Sequence, residues 1–143
     1  MEYSTEKNCR EFIDRLNEAD RFCKVNGIRL IHAEPGFSVA ELEITPDVYN
    51  AGGVVQGGAI FTLADFAFAG AANAGSQPGE RIVMMNSTIS VVRPGSGSKL
   101  RAEAKEIHRG KRTGLYEIQV TDDRGKLVAK ITSTGFITSI PVK

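Results

Sequence analysis

Histidine and cysteine are scarce in this chain, two of each in 143 residues, and each scarcity excludes some chemistry. His32 and His108 are widely separated and form no metal-ligand pattern with the two cysteines, so no metal is expected. Cys9 and Cys23 fall on one predicted helix, fourteen residues apart, which is roughly 21 Å by the helical rise. That is too far for a bond within one chain, so both are expected to be reduced, in a cytoplasmic protein. Long apolar runs are also missing: nothing approaches the length of a membrane span. The opening residues, MEYSTEKNCREF, lack the apolar core of a signal peptide. Net charge is only +1, which argues for neither nucleic acid nor a membrane as partner. Repeats, low-complexity tracts and linkers are absent, so residues 1–143 read as one domain, with 1–27 a helical extension.

Charge is unevenly spread. Residues 1–50 hold six Lys/Arg against ten Asp/Glu, a difference of −4; residues 91–112 hold seven against two, a difference of +5. A basic region of this kind suits a small phosphorylated ligand, and equally the solvated outer faces of strands. Phe12, Leu16, Ala19 and Cys23 recur at helical spacing, widened by Ile13 and Phe22, and predict an amphipathic helix over 5–25. Ser4 or Thr5 would cap it and Asn26-Gly27 would stop it. IRLIHAE and GFSVAELEIT read as short strands around Glu34-Pro35-Gly36. Further strands are predicted at 81–92, 98–108, 114–122 and 126–138, joined as a meander by RPGSG, RGKRT and DRG.

Between the two groups of strands lies GGAIFTLADFAFAGAANAG, residues 57–75, apolar on every face of a helix and therefore predicted to be buried. Asp65 is its only charge, and an ionised aspartate is rarely buried unless paired or working. Its helical neighbours Phe61, Thr62, Phe68 and Ala69 offer no cation. Gly57 and Gly58 open the helix, where free N–H groups and the helix dipole favour a carbonyl oxygen or an anion. Eight residues separate Gly57 from Asp65, about 12 Å along the axis. One helix therefore does not bring both to one small group, and two antiparallel copies would. A dimer with active sites at the interface is expected. One long apolar helix among many antiparallel strands implies an α+β fold, a curved sheet wrapped around the helix.

This order of elements from about residue 28 onward, with N-x-x-G-x-x-Q-G-G-A-I-F-T-L-A-D at its centre, resembles the hotdog-fold acyl-CoA thioesterases, nearest to the phenylacetate-pathway type. The matching positions are Asn50, Gly53, Gly57, Gly58, Leu63 and Asp65. The resemblance implies hydrolysis of acyl-CoA thioesters by a homodimer or homotetramer, without metal or bound cofactor. Asp65 would activate or orient water, or act as nucleophile. The backbone N–H of Gly57 or Gly58 in the partner would polarise the carbonyl, and Asn50 would support the loop or the water. Burial of the Asp65 carboxyl would raise its pKa and make it a better base near neutrality.

The family usually has histidine where this chain has Gln56, which donates through its amide but carries no proton near neutral pH. That departure leaves open a non-catalytic acyl-CoA-binding protein. A hydratase on the same fold ranks third, because neither histidine lies on or beside the Asp65 helix. The strand at 81–92 is read as central, with Asn86 a buried amide needing a partner. The family's second contribution to the site comes from this strand, so Val83, Met85, Asn86 and Ser87 are candidate pocket residues. Thr62 is a candidate ligand contact, weighed against a back-bond to its own helix. Phe61, Phe66, Phe68, Met84 and Met85 suit an aromatic or medium-chain acyl pocket, or any core. Arg109, Lys111 and Arg112 would meet the nucleotide phosphates, or form an ordinary hairpin.

Overall fold

Alternating apolar residues in the strands and an unbroken apolar helix leave few ways to hide both, and the chain adopts one of them. The computed structural model describes the backbone of residues 2–139 and the side chains of residues 9–139. In chain order it has α1 (Glu2–Ala19), α2 (Arg21–Val25), β1 (Ile28–Glu34), β2 (Phe37–Glu43), a 3-10 turn (Pro46–Val48), α3 (Gly57–Asn73), β3 (Glu80–Val91), β4 (Lys99–Arg109), β5 (Thr113–Asp122) and β6 (Leu127–Ser139). The strands form one six-stranded antiparallel sheet in the order β1-β2-β4-β5-β6-β3. The sheet packs around α3, the hotdog arrangement anticipated from the sequence.

The N-terminal segment departs from expectation. It is two helices, broken at Asp20, whose backbone (φ −82°, ψ 89°) leaves the helical region. The reason is local: the Asp20 carboxylate accepts the Cys23 N–H at 3.0 Å and starts α2 afresh, as a good N-cap residue does. Cys9 and Cys23, both free, therefore sit on separate helices. The backbone of α1 begins at Glu2, so Ser4 and Thr5 lie inside it; their side chains are outside the described residues. Phe22 does not widen the apolar stripe. Cys23 is buried while Phe22 is 64% exposed.

The meander holds only from β4 to β6. β3 pairs with β6 along its whole length and is an edge strand of the sheet. RPGSG is therefore a crossover rather than a hairpin turn: β5 and β6 lie between β3 and β4, and β4 pairs instead with β2 and β5. Asn86 is accordingly exposed, not a buried amide in a central strand.

The core lies between α3 and one face of the sheet. Ile60, Leu63, Ala64, Ala67 and Ala71 meet Leu30, Ala40, Leu42, Leu100, Ala102 and Ile118. Burying an aliphatic or aromatic side chain of this size stabilises by about 1.5–3 kcal/mol. Small residues set how closely the helix approaches. A Cβ on Gly70 would stand 2.8 Å from Leu30 Cδ1 and 2.9 Å from Ser38 Cβ. The Ser38 hydroxyl, fully buried beside it, donates to the Ala67 carbonyl. Farther along, Phe68 meets Tyr116 edge-to-face with centroids 5.0 Å apart, and the buried Tyr116 hydroxyl donates to Glu106 at 2.9 Å.

Candidate active site

The start of α3 is set by a hydrogen-bonded loop. Tyr49 and Val55 bridge across it, and Asn50 Oδ1 accepts the Gly52 N–H at 2.9 Å and the Val54 N–H at 3.3 Å. Gly53 takes φ +79°, a conformation that side chains disfavour. The loop is anchored to its surroundings by Val55 N–H to Gly95 O (3.0 Å) and Gln56 N–H to Val48 O (2.8 Å). So the Asn50 carbonyl is spent on its own turn, and through that turn it fixes where α3 begins.

Gln56 is the N-cap of α3, and its side-chain Oε1 accepts the Gly58 N–H. Only the oxygen of a carboxamide accepts from an N–H, so the amide nitrogen faces outward as a donor. The Gly58 N–H is thereby engaged. The Gly57 N–H has no acceptor among the described residues, and nothing lies within 4 Å of where a Gly57 Cβ would be. Of the two candidate donors, Gly57 is the open one.

Along α3, Gly58, Thr62, Asp65 and Ala69 repeat at four, three and four residues and form one stripe, half-exposed or exposed. The sheet does not cover this stripe. Asp65 sits on it half-buried, without a hydrogen bond or ion pair among the described residues. Burial raises its pKa above the ordinary carboxylate value, and the negative charge of Asp20 adds to the rise. Burial likewise pushes the Cys23 thiol up, with Asp20 and then Asp65 adding to it. Asp20 and Cys23 are thus neighbours of Asp65 that the sequence reading missed. The signal available was Asp20 itself, a capping residue in the middle of an otherwise helical run.

The other candidates divide. Gln56, Gly58 and Thr62 line one cavity of about 390 Å³, together with Phe22, Val48, Tyr49 and Ala59. The Thr62 hydroxyl donates back to Gly58 O at 2.8 Å. Phe66 is buried in the core. Val83, Met85 and Asn86 lie exposed on the β3 edge, where the pairing with β6 shifts register between Met84 and Asn86. Arg109 is at the far end of α3, bound to Glu80 at 2.8 Å, near Glu106 at 3.7 Å, and donating to Ala72 O at 3.4 Å. It closes the helix C-terminus, a placement the helix dipole favours. Lys111 and Arg112, in the turn beyond it, are exposed and make no ion pair among the described residues.

Six antiparallel strands around one long helix, with one stripe of that helix left uncovered by the sheet, define a hotdog protein. The comparisons give the family: the chain belongs to the thioesterase superfamily, whose model matches residues 52–129. It is similar to the acyl-coenzyme A thioesterase PaaI of Escherichia coli (strain K12), 38% identical over 115 residues that cover 80% of each chain. The 1,4-dihydroxy-2-naphthoyl-CoA hydrolase of Listeria monocytogenes is 30% identical over 71% of this chain and 83% of its own length. Among solved structures, the Escherichia coli PaaI protein from the phenylacetic acid degradation operon superposes with a TM-score of 0.82 at 32% identity, covering 91% of this chain and 93% of that one.

Proposed function

We propose that the protein hydrolyses an aromatic or medium-chain acyl-CoA to the free acid and coenzyme A. The observation that carries this is Asp65: a half-buried carboxylate with raised pKa, left unpaired on the stripe of α3 that the sheet does not cover. Asp65 takes a proton from water as the water oxygen attacks the thioester carbonyl. The oxyanion is received by the N–H of the partner subunit's Gly57. The C–S bond then breaks and the coenzyme A thiolate leaves, to be protonated as the free thiol. A well-aimed N–H donor of this kind is worth a few kcal/mol in the transition state.

Two copies are needed because about 12 Å of helix separates the two groups in one chain. The stripe of Gly58, Thr62, Asp65 and Ala69 is small enough for a second α3 to approach closely. The β3 edge, with Val83 40% and Met85 61% exposed, supplies an apolar border for the same partner. Asn86 stands on that border, Lys111 and Arg112 are the free cations for the nucleotide phosphates, and Asn50 holds the loop. A non-catalytic acyl-CoA-binding protein is the second reading. It is favoured by Gln56, which caps α3 and brings no titrating group to the site. His32 and His108 are both exposed and lie on β1 and β4, not on α3, which leaves a hydratase without its base.

Thiol release from phenylacetyl, hydroxybenzoyl, short, medium and long acyl-CoA esters, with wild type beside Asp65→Asn, tests the proposal. Turnover that collapses in a folded Asp65→Asn protein is expected. Binding of the esters with no thiol release from wild type would replace the hydrolase by the binding protein.

A further inference from the structure

The break at Asp20 brings α2 beside the start of α3, and a cavity of about 390 Å³ opens between them. Its floor is buried, formed by Ile28 (1% exposed) and Val48 (5%). One wall is free of bulk: Ala59 and Thr62 present small side chains from the first turns of α3. At the mouth stand two large rings left largely in solvent, Phe22 at 64% and Tyr49 at 45% exposed. A buried apolar floor, hydrogen-bonding groups beside it and this volume are the features of a small-molecule site rather than of a packing fault. Its polar lining is Gln56 and Gly58 at the helix start, Asn26 after α2 and Asp47 in the 3-10 turn.

We propose that this cavity holds the acyl group of the thioester, and that Phe22 and Tyr49 determine which acyl groups are accepted. The proposal rests on the hydrolase reading above and adds to it a role for the N-terminal helices. A carbonyl held at the start of α3 has its acyl substituent at the cavity mouth. There the two rings pack against it edge-on or offset, while Ile28 and Val48 bound its depth. Because Phe22 comes from α2, the helical extension is part of the specificity pocket and not only a cover for the sheet.

The test compares kcat/KM for phenylacetyl-CoA and acetyl-CoA in wild type, Phe22→Ala and the cavity-filling Ala59→Leu, with oligomeric mass measured by sedimentation. The expected result is a fall of about tenfold in the phenylacetyl-to-acetyl ratio in each variant, at unchanged mass, the size of effect a pocket wall has on discrimination. An unchanged ratio overturns the proposal. So does a drop in mass for Phe22→Ala, which would make Phe22 a subunit contact. Should wild type hydrolyse no ester, the hydrolase reading fails by itself. The cavity is then read without turnover, by titrating phenylacetate and following the backbone amide resonances of Ala59 and Thr62. Shifts that vanish in Phe22→Ala support the subsite, and no shifts in wild type sink it.

Discussion

Asp65 is held where its surroundings oppose its charge, first by burial and then by the negative charge of Asp20. Its native pKa is therefore above that of the unfolded chain, near 3.9. As pH rises past that value the unfolded chain releases its proton first, and stability falls until the native carboxyl also ionises. Asp65→Asn is thus expected to raise the melting temperature at pH 7 while lowering kcat by about 100-fold or more, the usual scale for loss of a general base. Calorimetry and thiol release on one preparation check both, and a lowered melting temperature would show that Asp65 supports the fold. Asp20→Asn keeps a good cap, since Asn and Asp cap alike, but removes the charge. The acid limb of the kcat/KM profile is expected to move to lower pH. An unmoved limb would leave Asp20 without influence on Asp65.

At the scale of elements, the closeness of α3 to the sheet is the main structural quantity. Gly70 leaves no room for a methyl group between α3 and the Leu30–Ser38 wall. Gly70→Ala is expected to cost about 1–3 kcal/mol by overpacking, seen as a lower urea midpoint; a variant as stable as wild type would mean that the helix moves freely on the sheet. Much of this level was legible in the sequence. The apolar run of α3, its start at Gly57 and the strands around it followed from periodicity and from glycine. The break at Asp20 was not legible as a break, because helical spacing continues through it. A capping aspartate interrupts a helix only where the following segment has something to pack on, and here Cys23 has a core to enter.

At the scale of the molecule, the two sheet edges are treated differently. Asn17 of α1 exchanges two hydrogen bonds of 2.8 Å with the backbone of Leu30 and closes the β1 edge as a neighbouring strand would. Among the described residues nothing covers the β3 edge in this way, and it carries Val83 and Met85 outward. An open apolar edge is a place for a partner. Met85→Lys is expected to lower the sedimenting mass at micromolar concentration and to lower kcat with it, since the proposed site takes groups from two chains. Loss of mass with full activity would place the whole site within one chain.

The amino-acid sequence by itself determined the buried helix, the lone carboxylate on it and the glycines that open it, because burial, charge and backbone freedom are properties of residue types and their spacing. Tertiary structure decided which strand lies at the edge, which of the two glycine N–H groups is free, and that Arg109 closes a helix. Those depend on which distant residue supplies the partner: β6 for β3, Gln56 Oε1 for Gly58, Glu80 for Arg109. No local pattern carries that information, since pairing is chosen among all the surfaces that the folded chain brings together.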